Sequence, residues 1–197
     1  MSSLTNKETE ILLVLVKEFS VDYNPHTISK MVKMSHAGAF KAMKELERKG
    51  FIRGKKIGRA NFYKLNLEDY YVFRTIETLL INEAREKAQR WLFEFKELAE
   101  HSEILVIFGS TLKNANAAKD IDILIVLKNK EYDEVMRLIK EKNKILLKPI
   151  HPVVQTPNDL ENNLKAKQEV VLDILKTGYV LHGCDKLLEV VKNVSSR

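Results

Sequence analysis

Asp120 and Asp122 stand one residue apart at the head of an apolar run that continues through Leu127. Alternate side chains on a strand share a face, so this spacing puts both carboxylates on one side, with Ile121 and Ile123 on the other. Two carboxylates so placed repel each other unless a cation sits between them, and hard oxygen ligands suit magnesium or manganese. Upstream, Ile104–Phe108 is an apolar run long enough for one buried strand, and it stops at Gly109-Ser110. A strand that gives way to a short helix leaves backbone N–H groups without partners. With the Ser110 hydroxyl, these could cradle phosphates. The alternative, a turn and a strand whose polar residues face water, does not explain two flanking runs that are apolar on both faces.

The succession of apolar strand, Gly-Ser, spacer and Asp-x-Asp, written here ILVIFGSTLKNANAAKDIDILIV, resembles the signature of the DNA polymerase beta-like nucleotidyltransferase superfamily. The small size is similar to its minimal members. The resemblance implies that Gly109 and Ser110 hold a nucleoside triphosphate, and that Asp120 and Asp122 are catalytic and bind the metal carrying it. Active members place a third carboxylate on a later strand, which here corresponds to Ile145–Val154. No Asp or Glu occurs between Glu141 and Asp159. His151 is the nearest polar side chain and the third catalytic candidate, as metal ligand or base, although it brings no negative charge. Pro149 and Pro152 leave its register open, and a strand-end histidine with no role is the competing reading.

The elements that must position these residues can be followed along the chain. Thr5-x-x-Glu8 is a capping box ahead of the apolar segment Ile11–Val16. Asn24-Pro25 breaks that helix, and a short second helix is expected over Thr27–Lys33. Ser35 caps a third helix that runs to Lys49 and ends at Gly50, with Phe40, Met43 and Leu46 facing the core. Two short strands, Phe51–Arg53 and Asn61–Leu65, flank a basic loop, Gly54–Ala60. The stretch TISKMVKMSHAGAFKAMKELERKGFI resembles winged helix-turn-helix transcription regulators. That resemblance implies a helix capped by Ser35 that enters the major groove of double-stranded DNA, bringing His36, Ala37, Gly38 and Lys41 near base edges, with Lys44 further along. Arg53, Lys55, Lys56 and Arg59 of the wing would meet phosphates or a minor groove.

Charge distribution agrees. Residues 1–67 hold 13 Lys or Arg against 6 Asp or Glu, whereas the remainder holds 20 against 21. The excess of positive charge therefore lies in the N-terminal third, as a polyanionic partner would require. A winged-helix fold used for protein contacts is the alternative.

Between residues 68 and 100 there is neither glycine nor proline. Phe73, Ile76, Leu80, Ala84, Ala88, Trp91, Phe95 and Leu98 recur every three or four positions. One long helix, or two with a bend, is expected, its seam packing on neighbouring domains or on a second copy of the chain. Further on, helices are expected over Glu131–Lys142, from Asn158, over Glu169–Lys176 and over Lys186–Lys192. The third strand, Ile145–Val154, should be an edge or irregular one because of its prolines. The expected architecture is thus α/β and α+β in two domains. A winged helix (three helices plus a β-wing) spans 1–67, a helical linker and dimer contact 68–100, and a nucleotidyltransferase fold with a mixed sheet flanked by helices 101–197.

The single Cys184 excludes an internal disulfide and any cysteine-cluster metal site. No apolar run is long enough to span a bilayer and no signal-peptide pattern opens the chain, so a cytoplasmic location without a membrane partner is expected. Three functions remain open on this reading. They are nucleotide transfer to an acceptor hydroxyl, nucleotide sensing by a DNA-binding homodimer, and an inert scaffold for a protein partner.

Overall fold

The computed structural model describes residues 3–58, 60–114 and 117–195. They form two compact units divided between Leu79 and Leu80. The first unit contains α1 (Asn6–Lys17), α2 (Pro25–Met31), α3 (His36–Arg48), β1 (Ile52–Ile57), β2 (Ala60–Leu65) and the start of α4 (Tyr70–Lys87). Thr5 and Glu8 close the capping box of α1, and Glu8 reaches across to Lys49, 2.8 Å away, in a largely buried ion pair. Asn24-Pro25 does more than end a helix. Asn24 Oδ1 accepts from Thr27 N–H and Pro25 is the first residue of α2, a position where its missing N–H costs nothing. The second helix accordingly starts two residues earlier than expected. Ser35 caps α3, accepting from Gly38 N–H, and Gly50 ends it with φ 81°.

Phe40 does not face the core. Ala39, Met43 and Leu46 are fully buried, whereas Phe40 is 49% exposed. At about 100° per residue, Ala39 and Leu46 lie on one side of Met43 and Phe40 about 60° to the other, at the edge of the buried stripe. The hairpin is longer and tighter than the sequence suggested, because Gly54, Lys55 and Lys56 belong to β1, which pairs antiparallel with β2 from Ile52↔Leu65 to Ile57↔Ala60. Tyr63 N–H donates to Tyr23 carbonyl at 2.8 Å and ties β2 to the segment between α1 and α2.

The second unit continues α4 and adds α5 (Gln89–Glu94), α6 (Lys96–Glu100), β3 (Ile104–Phe108), α7 (Ser110–Lys113) and β4 (Ile121–Val126). A 3-10 turn (Asn129–Glu131) then leads into α8 (Tyr132–Lys142), β5 (Ile150–Gln155), α9 (Pro157–Lys165), α10 (Glu169–Thr177), β6 (Tyr179–His182) and α11 (Cys184–Ser195). The sheet order is β5-β4-β3-β6. Only β4 and β5 run parallel, so the sheet is mixed. The helical stretch has two interruptions rather than at most one bend, at Ala88 and at Phe95. No glycine or proline marks them. Ala88, Trp91, Phe95 and Leu98 all enter the core beside Leu105, Ile107, Ile121, Ile123 and Ile125.

The third strand begins at Ile150 rather than Ile145. Residues 143–149 turn instead, with Asn143 Oδ1 accepting from Ile150 N–H at 2.8 Å and Leu147 wholly exposed. β5, which contains Pro152, lies at the sheet edge, as expected. On the far face from the α5, α6 and α8 side, α9, α10 and α11 supply buried Leu160, Leu164, Ile174 and Leu188. Among the described residues, no helix is long and apolar enough to cross a membrane.

Candidate functional site

Antiparallel pairing of β3 with β4 sets Phe108 opposite Asp122, which brings the end of one strand beside the start of the next. Gly109 follows with φ 82° and ψ −159°, a backbone region open in practice only to glycine. A Cβ at this position would run into the Asp122 carboxylate, lying 2.9 Å from its Cγ and 3.1 Å from its Cβ. The glycine therefore allows the turn to pass against the acidic side chain. Ser110 then opens α7 with its side chain exposed, while Thr111 is buried.

Ile121, Ile123 and Ile125 point into the core cluster, so Asp122 emerges on the opposite face, where it is partly exposed. The parallel pairing of β4 with β5 makes His151 the direct partner of Asp122, and Ile121 N–H donates to Pro149 carbonyl at 2.9 Å to fix that register. His151 Nδ1 lies 3.4 Å from Asp122 Oδ1, and the His151 side chain is 70% exposed. One ligand atom each from Asp120, Asp122 and His151 lie within 4.8 Å of one another. Two ligands on opposite sides of one cation at 2.1–2.3 Å span about 4.2–4.6 Å, so small side-chain adjustments suffice for all three to reach a divalent ion. Two carboxylates and an imidazole, next to a glycine that keeps one carboxylate accessible, fit such an ion.

Lys148 had no signal in the sequence. Its ammonium donates to the Ala118 carbonyl, linking the turn before β5 to the segment that delivers Asp120. On the other side of that segment, Asn114 Oδ1 accepts from Ala117 N–H at 3.2 Å.

The residues assigned to DNA all fall in the first unit and take no part in this cluster. His36, Lys41 and Lys44 are exposed on α3; Gly38 is half-buried, and a Cβ there would press on Met34 and Ser35 at 3.1 Å. The Ser35 hydroxyl is engaged as the helix cap. Lys44 bonds Glu47 at 2.8 Å and lies over the Tyr63 ring, and the Glu47 bond, followed by Tyr63, raises its pKa. Arg53 and Lys55 share one face of β1 and Lys56 the other, all three exposed. Arg59 lies outside the described residues.

Residues 94–187 match the family model for the polymerase beta nucleotidyltransferase, a span that holds β3, β4, β5 and β6 with every member of the acidic cluster. No curated protein matches the chain. Among solved structures, the adhesin competence repressor AdcR from Streptococcus pyogenes is similar at 16% identity, covering 73% of this chain and 80% of that one, with a TM-score of 0.35. The zinc-responsive MarR family member ZitR from Lactococcus lactis is similar at 14% identity, covering 73% and 77%, with a TM-score of 0.34. Superpositions this loose assign neither fold nor function.

Proposed function

We propose that this chain is a DNA-binding regulator whose nucleotidyltransferase-like domain binds a metal–nucleoside triphosphate. The observation that carries the nucleotide part is the meeting of the Gly109-Ser110 turn with Asp120, Asp122 and His151 at one end of β3, β4 and β5. Asp120 and Asp122 hold magnesium or manganese. Once bound, the ion neutralises triphosphate charge. Gly109 and Ser110 offer backbone N–H groups and a hydroxyl to the phosphates. The DNA part rests on the order of three helices and a hairpin, with exposed His36, Lys41 and Lys44 on α3 and exposed Arg53, Lys55 and Lys56 on β1.

Transfer to an acceptor is the second reading, and the exposed position of His151 beside Asp122 favours it. In that reaction an acceptor hydroxyl oxygen bonds the α-phosphorus, its proton passes to a His151 ring nitrogen, and pyrophosphate leaves with the electrons of the broken bond. The test is calorimetric titration of the protein with each nucleoside triphosphate, with and without magnesium. Metal-dependent binding that disappears in Asp120→Asn/Asp122→Asn is expected. Binding that persists in that variant moves the nucleotide elsewhere, and no binding of any triphosphate leaves the domain as a scaffold.

A further inference from the structure

Among the exposed large apolar side chains of the first unit, Phe40 lies on α3, the helix whose surface also carries His36, Lys41 and Lys44. On α3 the core-facing side chains Ala39, Met43 and Leu46 are fully buried, whereas Phe40 keeps 49% of its surface in water. Removing an apolar ring from water is favourable, and a ring left half exposed keeps part of that gain for a partner. Its neighbours on the helix surface are His36 and Ala37, one turn before, and Lys44, one turn after. An apolar ring flanked by an imidazole and an ammonium, on a unit with excess positive charge, suits a surface that is polyanionic at its rim and apolar within. The floor of a DNA major groove has that character, with phosphates along its edges and thymine C5-methyl groups inside. Ala37, one turn before Phe40 on the same side, is small enough for the helix to come close and offers no side-chain hydrogen bond to bases. The residues 1–67 that carry this helix also carry the excess positive charge of the chain.

We infer that Phe40 packs on thymine methyl groups in the major groove and gives the first unit a preference for A·T-containing duplex. This rests on the DNA-binding reading above. Fluorescence anisotropy of the full chain tests it with two duplexes of equal length, alternating dA-dT and alternating dA-dU, which differ only in the thymine methyl. Each methyl buried is worth about fourfold in affinity. The wild-type protein should bind dA-dT about fourfold tighter, or more if several methyls are covered. Phe40→Ala should bind both duplexes equally, near the wild-type affinity for dA-dU, with the same salt dependence. Phe40→Leu, which keeps an apolar contact, should retain part of the preference. Equal binding of the two duplexes by the wild type overturns the inference and leaves DNA binding intact, as does a preference that survives in Phe40→Ala. Failure to bind either duplex at any salt concentration overturns the DNA reading and this inference with it.

Discussion

Replacing Gly109 by alanine should damage folding and nucleotide binding together, and the structure indicates by how much. At φ 82° and ψ −159°, a residue with a side chain incurs about 1–3 kcal/mol of backbone strain. Its Cβ would also overlap the Asp122 carboxylate. Rotating the carboxylate away cannot relieve this fully, because the Asp122 Cβ, fixed by β4, is itself only 3.1 Å from the new methyl. Overpacking of this kind adds about 1–3 kcal/mol, for a total of about 4 kcal/mol. Gly50 supplies the control. Its φ of 81° is nearly the same, yet nothing lies within 4 Å of a Cβ built there. Gly50→Ala should therefore cost only about 1–2 kcal/mol, the ordinary left-handed penalty. Urea unfolding of both variants, followed by magnesium-nucleotide titration, separates strain from overlap. Gly109→Ala should be the more destabilised and should lose metal-dependent binding, while Gly50→Ala should bind as the wild type does. Adding Asp122→Ala to Gly109→Ala should restore part of the lost stability by removing the overlap. If Gly109→Ala is as mild as Gly50→Ala and binds nucleotide normally, the close fit of turn and carboxylate plays no part in the site.

Three other outcomes are expected. Lys49→Met leaves the Glu8 carboxylate buried without its cation and should cost about 3–5 kcal/mol at neutral pH, read from the urea midpoint. Burial raises the Glu8 pKa, but the Lys49 bond and the Thr5 backbone and hydroxyl bonds outweigh it and hold the carboxyl below its ordinary value. Its stabilising contribution is therefore complete above about pH 4.3 and fades as pH falls through the folded value, an acid sensitivity that should shrink in Lys49→Met. Lys55→Glu/Lys56→Glu should weaken duplex binding and reduce the slope of log affinity against log salt by about two, and an unchanged slope would remove the wing from the interface. His151→Ala should leave the metal–nucleotide affinity within about tenfold, because Asp120 and Asp122 remain. It should slow any single-turnover transfer by about 10²–10⁴, and an unaltered rate would deny His151 the role of base.

Much of the cluster could be read from the chain because its geometry is local. Asp122 lies in β4 and Asp120 immediately before it, so the two-residue period carried one position past the strand sets both on one side, and Gly109-Ser110 marks the end of the preceding strand. His151 was visible as a residue but not as a neighbour. Its place beside Asp122 depends on a parallel register fixed by a bond between Ile121 and Pro149, 28 positions apart in the chain. Phe40 misled for a different reason. A spacing of three repeats imperfectly on a helix of 3.6 residues per turn, so the first member of the series Phe40, Met43, Leu46 falls at the stripe's edge, and Ala39 takes its place in the core. The breaks at Ala88 and Phe95 had no local signal because good helix formers surround both. Ala88 and Phe95 at the breaks are both buried beside a sheet encoded elsewhere in the chain.

The position of Pro152 has a consequence for how the molecule behaves at high concentration. Ile121 N–H bonds the Pro149 carbonyl and Leu127 N–H the Gln155 carbonyl, so the odd-numbered residues of β5 bond inward to β4. Pro152, like Ile150 and Val154, faces away from β4. Ile150 N–H is already taken by Asn143, and Pro152 has no N–H to offer. Two of the three outward positions of this edge strand therefore present no free donor to a strand from another molecule. The sheet ends at β5 with its edge capped, and this blunts the edge-to-edge growth that turns folded α/β proteins into aggregates. Pro152→Thr would restore a donor, and with it a place for an intruding strand to pair.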